Sequence, residues 1–198
     1  MSLFIESICI ADGVVRHEDL HLQRMERTIR EVLGVRRSWK MDELLAGISV
    51  PGTGVHKLRI VYDFKNFTSE CLPYVARPVR SLRVVRDEQI SYSYKWKDRS
   101  ALDNLFGQRS GCDDVMIVRR GLVTDSSYAN LAFFDGSVWH TPLEPLFPGV
   151  MRQYLMQKGE LQASVIRPGD LHRYTRVKLI NALVGTNGPV VEASQIVD

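Results

Sequence analysis

Apolar and polar positions first alternate along this chain with a period of two and then change to a helical period. Residues 3–10, LFIESICI, are rich in apolar and β-branched side chains. Asp12-Gly13 is a strong two-residue hairpin signal, with Val14 and Val15 starting the return strand. From about Glu18 the spacing becomes helical. Leu22, Met25, Ile29 and Val32 form one stripe, with Arg24, Glu26, Arg27 and Arg30 on the polar side, and Gly34 stands where a C-terminal cap belongs. A second, shorter helix is expected over residues 42–48, ended by Pro51-Gly52. Residues 56–63 alternate with Leu58, Ile60 and Tyr62 on one face; Asn66 turns the chain into a partner strand reaching Ala76, and residues 81–86 form one more strand.

The second half shows the same mixture. Residues 92–97 lead into a helix carrying Leu102, Leu105 and Phe106, stopped by Gly111. A strand over 114–119 turns at Gly121 into an acidic, hydroxyl-rich step and a second apolar strand. A helix over 149–158, a brief strand at Val165-Ile166, a helix start at Gly169-Asp170-Leu171, an apolar run over 177–184 and a glycine turn over 185–188 complete it. The pattern predicts an α+β fold with an N-terminal subdomain over 1–86 and a C-terminal one over 87–198.

Composition narrows the function classes. Of 198 residues 44% are hydrophobic and 25% charged, ordinary for a globular chain, and the net charge of +3 leaves no concentrated basic face. The densest basic run, residues 77–86, alternates with Val and Leu as a strand with one solvated face, so no nucleic-acid partner is expected. Cys9, Cys71 and Cys112 are odd in number, and no metal-type spacing joins them to the five histidines. His17 and His21, four apart, could bracket a metal on a helix, but no third ligand is near and none is expected. The first residues carry Glu6 and lack a basic segment, and no apolar run approaches the roughly 20 residues of a membrane span. A soluble protein of the reducing cytoplasm, without a membrane partner, is the expectation.

Residues 123–151, VTDSSYANLAFFDGSVWHTPLEPLFPGVM, concentrate the candidate chemistry. Free amides at a helix start after Pro148-Gly149 could bind an anion through Val150 and Met151, with Gly149 letting it approach the backbone. They could equally follow an ordinary Pro-Gly turn. Asp125 could face a pyridine nitrogen and keep it protonated, or be a turn residue satisfying nearby amides. Asn130 has the same two readings. Lys95 and Lys97 flank Trp96, and only one can carry covalent chemistry; Arg99, four residues beyond Lys95, could supply the neighbouring charge that keeps an amine neutral. A solvated basic cluster is the plainer reading of KWKDR. There is no P-loop, no G-x-G-x-x-G after a strand and no G-x-S-x-G.

Together these fragments resemble the class IV aminotransferases, the fold-type IV pyridoxal 5′-phosphate enzymes that include branched-chain and D-amino-acid aminotransferases and 4-amino-4-deoxychorismate lyase. FIESICIADG, HLQRMERT, KWKDR, DDVMIVRRGLVTDSSYANLAFFDG, WHTPLEPLFPGVMRQ and VKLINALVG carry the resemblance, in the family's order. It implies a two-subdomain enzyme with pyridoxal 5′-phosphate in the cleft between the subdomains, the C-terminal one being the cofactor-binding subdomain, acting as a homodimer on a small-molecule amino- or keto-acid substrate. Lys95 matches the lysine that bonds to the cofactor as an internal Schiff base and then shuttles protons. Arg24 matches the arginine on the cofactor phosphate, and Val150 and Met151 the helix-start amides beside it. Gly185 and Thr186 match a turn completing the phosphate cup, and Asn130 a site-shaping asparagine. Asp125 stands where the family usually has Glu. The chain is also shorter than is usual for the family, and HKLRIVYDF has Asp63-Phe64 where some members place a substrate-carboxylate arginine. Transamination of an amino acid or amine is the implied reaction. Alternatives are the lyase reaction, releasing pyruvate and 4-aminobenzoate, and a degenerate member that binds cofactor or metabolite without turnover.

Overall fold

β1 (Phe4–Ala11) and β2 (Val14–Val15) pair as the expected hairpin across Asp12 and Gly13, whose φ values of 51° and 77° explain that turn pair. A computed structural model describes residues 3–198, which divide into two units. One comprises the chain up to Val75 together with Tyr94–Asp98, the other Ala76–Ser93 and Arg99–Asp198.

In the first unit, β3 (Val55–Tyr62) lies antiparallel between β1 and β4 (Phe67–Pro73), giving the order β2-β1-β3-β4. α1 (Glu18–Leu33) packs on β1 and ends at Gly34, whose φ of 67° is the left-handed cap expected of it. α2 (Met41–Leu44) is shorter than the predicted 42–48, because Gly47 turns left-handed at φ 75°. Phe4, Ile8 and Ile10 of β1 meet Met25 and Ile29 of α1 and Leu58, Ile60 and Tyr62 of β3 in one core. The face of α1 turned inward carries His21, Arg24, Met25, Thr28 and Ile29. Arg24 is therefore buried, not on the polar side of the helix, because the stripe extends past the apolar positions to polar residues that find partners inside.

The second unit holds β5 (Leu82–Arg86), α3 (Ser100–Gly107), β6 (Asp114–Arg119), β7 (Leu122–Val123), β8 (Asn130–Phe134), β9 (Trp139–Pro142), α4 (Val150–Gln157), β10 (Gln162–Ser164), β11 (Arg176–Ile180), β12 (Val190–Glu192) and β13 (Ile196–Val197). They form sheets ordered β13-β5-β6-β7 and β10-β9-β8-β11-β12. Val84 and Met116 of the first sheet share a core with Leu131, Phe133, Val177 and Leu179 of the second. Ala132 and Ile180, on the other face of the five-stranded sheet, pack against Met151 and Leu155 of α4. β5, expected with the N-terminal layer, pairs instead with β6 and β13, so the observed division falls after Val75 and not after residue 86. α3 stops at Gly107, short of Gly111. β10 precedes Val165-Ile166 because Ile166 turns into the core.

Candidate active site

Asp125 sits in the buried polar step that joins β7 to β8. Its neighbours satisfy one another locally. Thr124 Oγ1 donates to the Ile117 carbonyl at 2.9 Å, and Ser126 Oγ donates to the Ala129 carbonyl at 3.1 Å while accepting from its amide. The two hydroxyl-bearing neighbours thus build the loop and leave the acid as its chemical element.

Both Asp125 oxygens are engaged. Asn130 Nδ2 donates to Oδ1 at 2.7 Å, and the Phe147 amide donates to Oδ2 at 2.9 Å. Burial pushes this carboxyl up to about 6 against the opposing pull of Asn130, the Phe147 amide and the Arg152 charge. Two oxygens offer about four acceptor positions, so the carboxylate retains capacity for a further donor.

Asn130 Nδ2 also donates to the Phe147 carbonyl at 2.8 Å, tying the acid to the loop that enters α4. Its Oδ1 lies over the backbone of Gly149, where any Cβ would collide with it. Gly149 is required by Asn130. Gly149 caps α4 without a side-chain hydrogen bond, so the first amides of this eight-residue helix have neither an intrahelical acceptor nor a capping side chain. A Cβ on Gly185 would lie 3.8 Å from Met151 Cε, so the turn Gly185–Asn187 abuts the start of α4. Asp125, Asn130, Val150, Met151 and Gly185 are therefore brought together in the second unit; Thr186 is exposed on the same turn.

Arg152 closes the arrangement from α4. It is buried, and its Nη2 donates to the Pro142 carbonyl at 2.8 Å and its Nε to Thr141 Oγ1 at 3.3 Å. Sequence reading missed it; a lone Arg three residues past a helix-start Gly was the available signal. Arg99 donates to the Ser127 carbonyl at 2.8 Å, holding the loop beside Asp125.

The first unit holds the other two candidates. The Ile5 amide donates to the Lys95 carbonyl at 2.8 Å and the Lys97 amide to the Leu3 carbonyl at 2.9 Å, so this segment runs antiparallel beside β1. Trp96 packs on Phe4 with ring centroids 4.8 Å apart. Lys95 is half-buried and Lys97 exposed. Arg24 donates from Nε to Glu6 Oε1 at 2.7 Å and from Nη2 to Oε2 at 2.5 Å. His21 is buried on the same carboxylate, and His17 stands at the α1 N-cap. Arg59 pairs with Glu70 across the sheet at 3.1 Å, and Asp63 caps the following turn through the Lys65 and Asn66 amides.

Comparison with known proteins decides what this arrangement belongs to. Residues 3–188 match the family Amino-transferase class IV. The chain belongs to the class IV aminotransferases. It is 36% identical over 183 residues to an uncharacterized Haemophilus influenzae protein, covering 91% of this chain and 97% of that one. A Haemophilus somnus protein provisionally designated a 4-amino-4-deoxychorismate lyase superposes with a TM-score of 0.88 at 31% identity, covering 93% of this chain and 98% of that one. A Mycobacterium tuberculosis hypothetical aminotransferase solved with α-ketoglutarate and pyridoxamine phosphate superposes with a TM-score of 0.79 at 16% identity, covering 98% and 82%. The fold is that of the fold-type IV enzymes, as the resemblance implied, and the family's cofactor is pyridoxal 5′-phosphate.

The residues present fit that group. A buried carboxylate with acceptor capacity suits a protonated ring nitrogen, uncapped helix-start amides suit a phosphate, and a half-buried lysine suits a covalent bond to an aldehyde.

Proposed function

We propose that this protein is a pyridoxal 5′-phosphate enzyme that transaminates a small amino acid or amine. The observation that carries the reading is the locked acid: a class IV chain in which Asp125, Asn130 and the uncapped start of α4 form one hydrogen-bonded unit. In this reading Lys95, Arg24, Asp125, Val150, Met151, Gly185 and Thr186 serve the cofactor. A homodimer working in the cytoplasm, with the cofactor in a cleft of the protein, is part of the same proposal.

When bound, the cofactor supplies an electron sink for the pair left when the substrate's α-proton departs. Lys95 would hold the cofactor covalently through Nζ, and as a free amine that Nζ would take the substrate's α-proton and hold it for return. The Asp125 carboxylate would accept a hydrogen bond from a protonated ring nitrogen and keep that proton in place. Asp is one methylene shorter than Glu, and Asn130 and the Phe147 amide hold it in a fixed orientation. Val150 and Met151 amides and the Arg24 guanidinium would bind the phosphate and so orient the ring.

A second reading is favoured by the likeness to the Haemophilus somnus protein: elimination of pyruvate from aminodeoxychorismate. The same residues would serve, with only the substrate-gripping groups changed. Borohydride reduction of purified protein, followed by peptide mapping, tests the core proposal. Label on Lys95, lost in Lys95→Ala, is expected; label on Lys97, or no bound cofactor, overturns it. Keto-acid-dependent amine transfer and pyruvate release, assayed side by side, then separate the two activities.

A further inference from the structure

The inward row of β1 reads Phe4, Glu6, Ile8, Ile10, and Glu6 is fully buried opposite Ile60 of β3. It is a charge placed inside an apolar core. Its partners come from the inward face of α1. Besides the two bonds from Arg24, His21 Nδ1–H donates to Glu6 Oε2 at 2.8 Å. Burial would raise the Glu6 carboxyl, but the Arg24 charge, with hydrogen bonds from His21 and Arg24, holds it well below the usual range. Glu6 is thus an anion that can only accept, which places the His21 proton on Nδ1. Burial lowers His21, opposed by its bond to Glu6, so the imidazole is neutral and the cluster carries one positive and one negative charge.

Such a pair adds little net stability over apolar side chains of the same volume, because desolvation offsets the attraction. It does fix geometry. The Nε–Nη2 edge of Arg24 is committed to Glu6 in the parallel two-bond arrangement, which sets the guanidinium plane.

We propose that Glu6 and His21 are positioning residues for anion binding: Glu6, steadied by His21, fixes the orientation in which the Arg24 guanidinium meets the cofactor phosphate. This rests on the reading above that Arg24 serves that phosphate. The effect runs against simple charge counting. Replacing Glu6 by Gln leaves the cluster with a net positive charge, yet breaks the two-oxygen grip that orders Arg24, and binding favours the preorganised group.

The test compares full-length apo-protein and its Glu6→Gln, His21→Gln and Arg24→Gln variants, titrated by absorbance with pyridoxal 5′-phosphate and with phosphate-free pyridoxal. Thermal melts establish folding. For Glu6→Gln the preference for the phosphorylated form is expected to fall about tenfold with pyridoxal affinity unchanged, and His21→Gln is expected to show a smaller loss of the same kind. Unchanged or increased preference in Glu6→Gln, or equal weakening toward both probes, overturns the positioning role. If Arg24→Gln keeps the full preference, the assignment of Arg24 to the phosphate fails instead, and the positioning role with it. Should Glu6→Gln not fold, His21→Gln decides by the same comparison.

Discussion

At the residue scale, the side chains that matter most are those whose neighbours leave them no alternative. Asn130 spends both Nδ2 protons, on Asp125 and on the Phe147 carbonyl, and its Oδ1 lies over Gly149. It cannot swing aside without breaking two hydrogen bonds, so Gly149→Ala meets an unyielding atom. Gly149→Ala is expected to destabilise the protein by about 2 kcal/mol in urea unfolding. Asn130→Ala removes the obstacle, so adding Gly149→Ala to it should cost far less; simple additivity in that double-mutant cycle would count against the contact. Sequence alone offered Gly149 as room for a phosphate to approach. That a side chain nineteen positions earlier demands it is a matter of tertiary packing. Asp125, Asn130 and the α4 start could be singled out from residue type and order. Glu6 could not, since an acid within an alternating strand carries no mark of the arginine that will meet it.

At the element scale, α4 is held by more than its apolar face. Arg152 binds β9 through the Pro142 carbonyl and Thr141, and its charge opposes the upward push of burial on Asp125. Asp125 lies above its ordinary value, at about 6, so the folded state favours the protonated form. Its contribution to apo-protein stability is complete below the unfolded value of 3.8 and is lost as pH rises through about 6. Replacing Arg152 by Met removes the charge that lowers Asp125, so that loss should move to higher pH. Melting temperatures of apo parent and Arg152→Met from pH 4 to 8 give the check: an unmoved profile would mean that Arg152 does not influence the acid. Helix α1 teaches a related lesson. Its helical period was legible, yet the spacing of Leu22, Met25 and Ile29 assigned Arg24 to solvent, and the structure buries it. Periodicity identifies an apolar stripe, but a polar residue at its border turns inward when a partner such as Glu6 awaits it.

At the scale of the whole molecule, the chain does not divide where its sequence pattern breaks. β5 joins the second unit, and Tyr94–Asp98 returns to the first, lying beside β1. Strand alternation tells which face is buried but not which strand will be the neighbour. The returning segment carries Lys95, proposed above to bond to the cofactor, so its anchorage bears on that proposal. Trp96 packs against Phe4, and the Ile5 and Lys97 amides close the pairing. Trp96→Ala should lower the hydrogen-exchange protection of those two amides by about tenfold or more, corresponding to about 1.4 kcal/mol, while leaving amides of β8 and β11 unchanged. Uniform loss across both units would show that the anchor has no local role.

The sequence by itself determined the α+β class, the hairpin at Asp12-Gly13, the helical stripe and cap of α1, and the family, because these depend on local spacing and on the order of motifs. Tertiary structure alone decided that β5 pairs with β6, that Arg24 lies buried on Glu6, and that Asn130 locks Asp125 to the loop before Gly149. Each of these joins residues far apart in the chain. Such pairings depend on which faces meet after folding and on how a buried charge finds its counterion, and neither is written in any local run of residues.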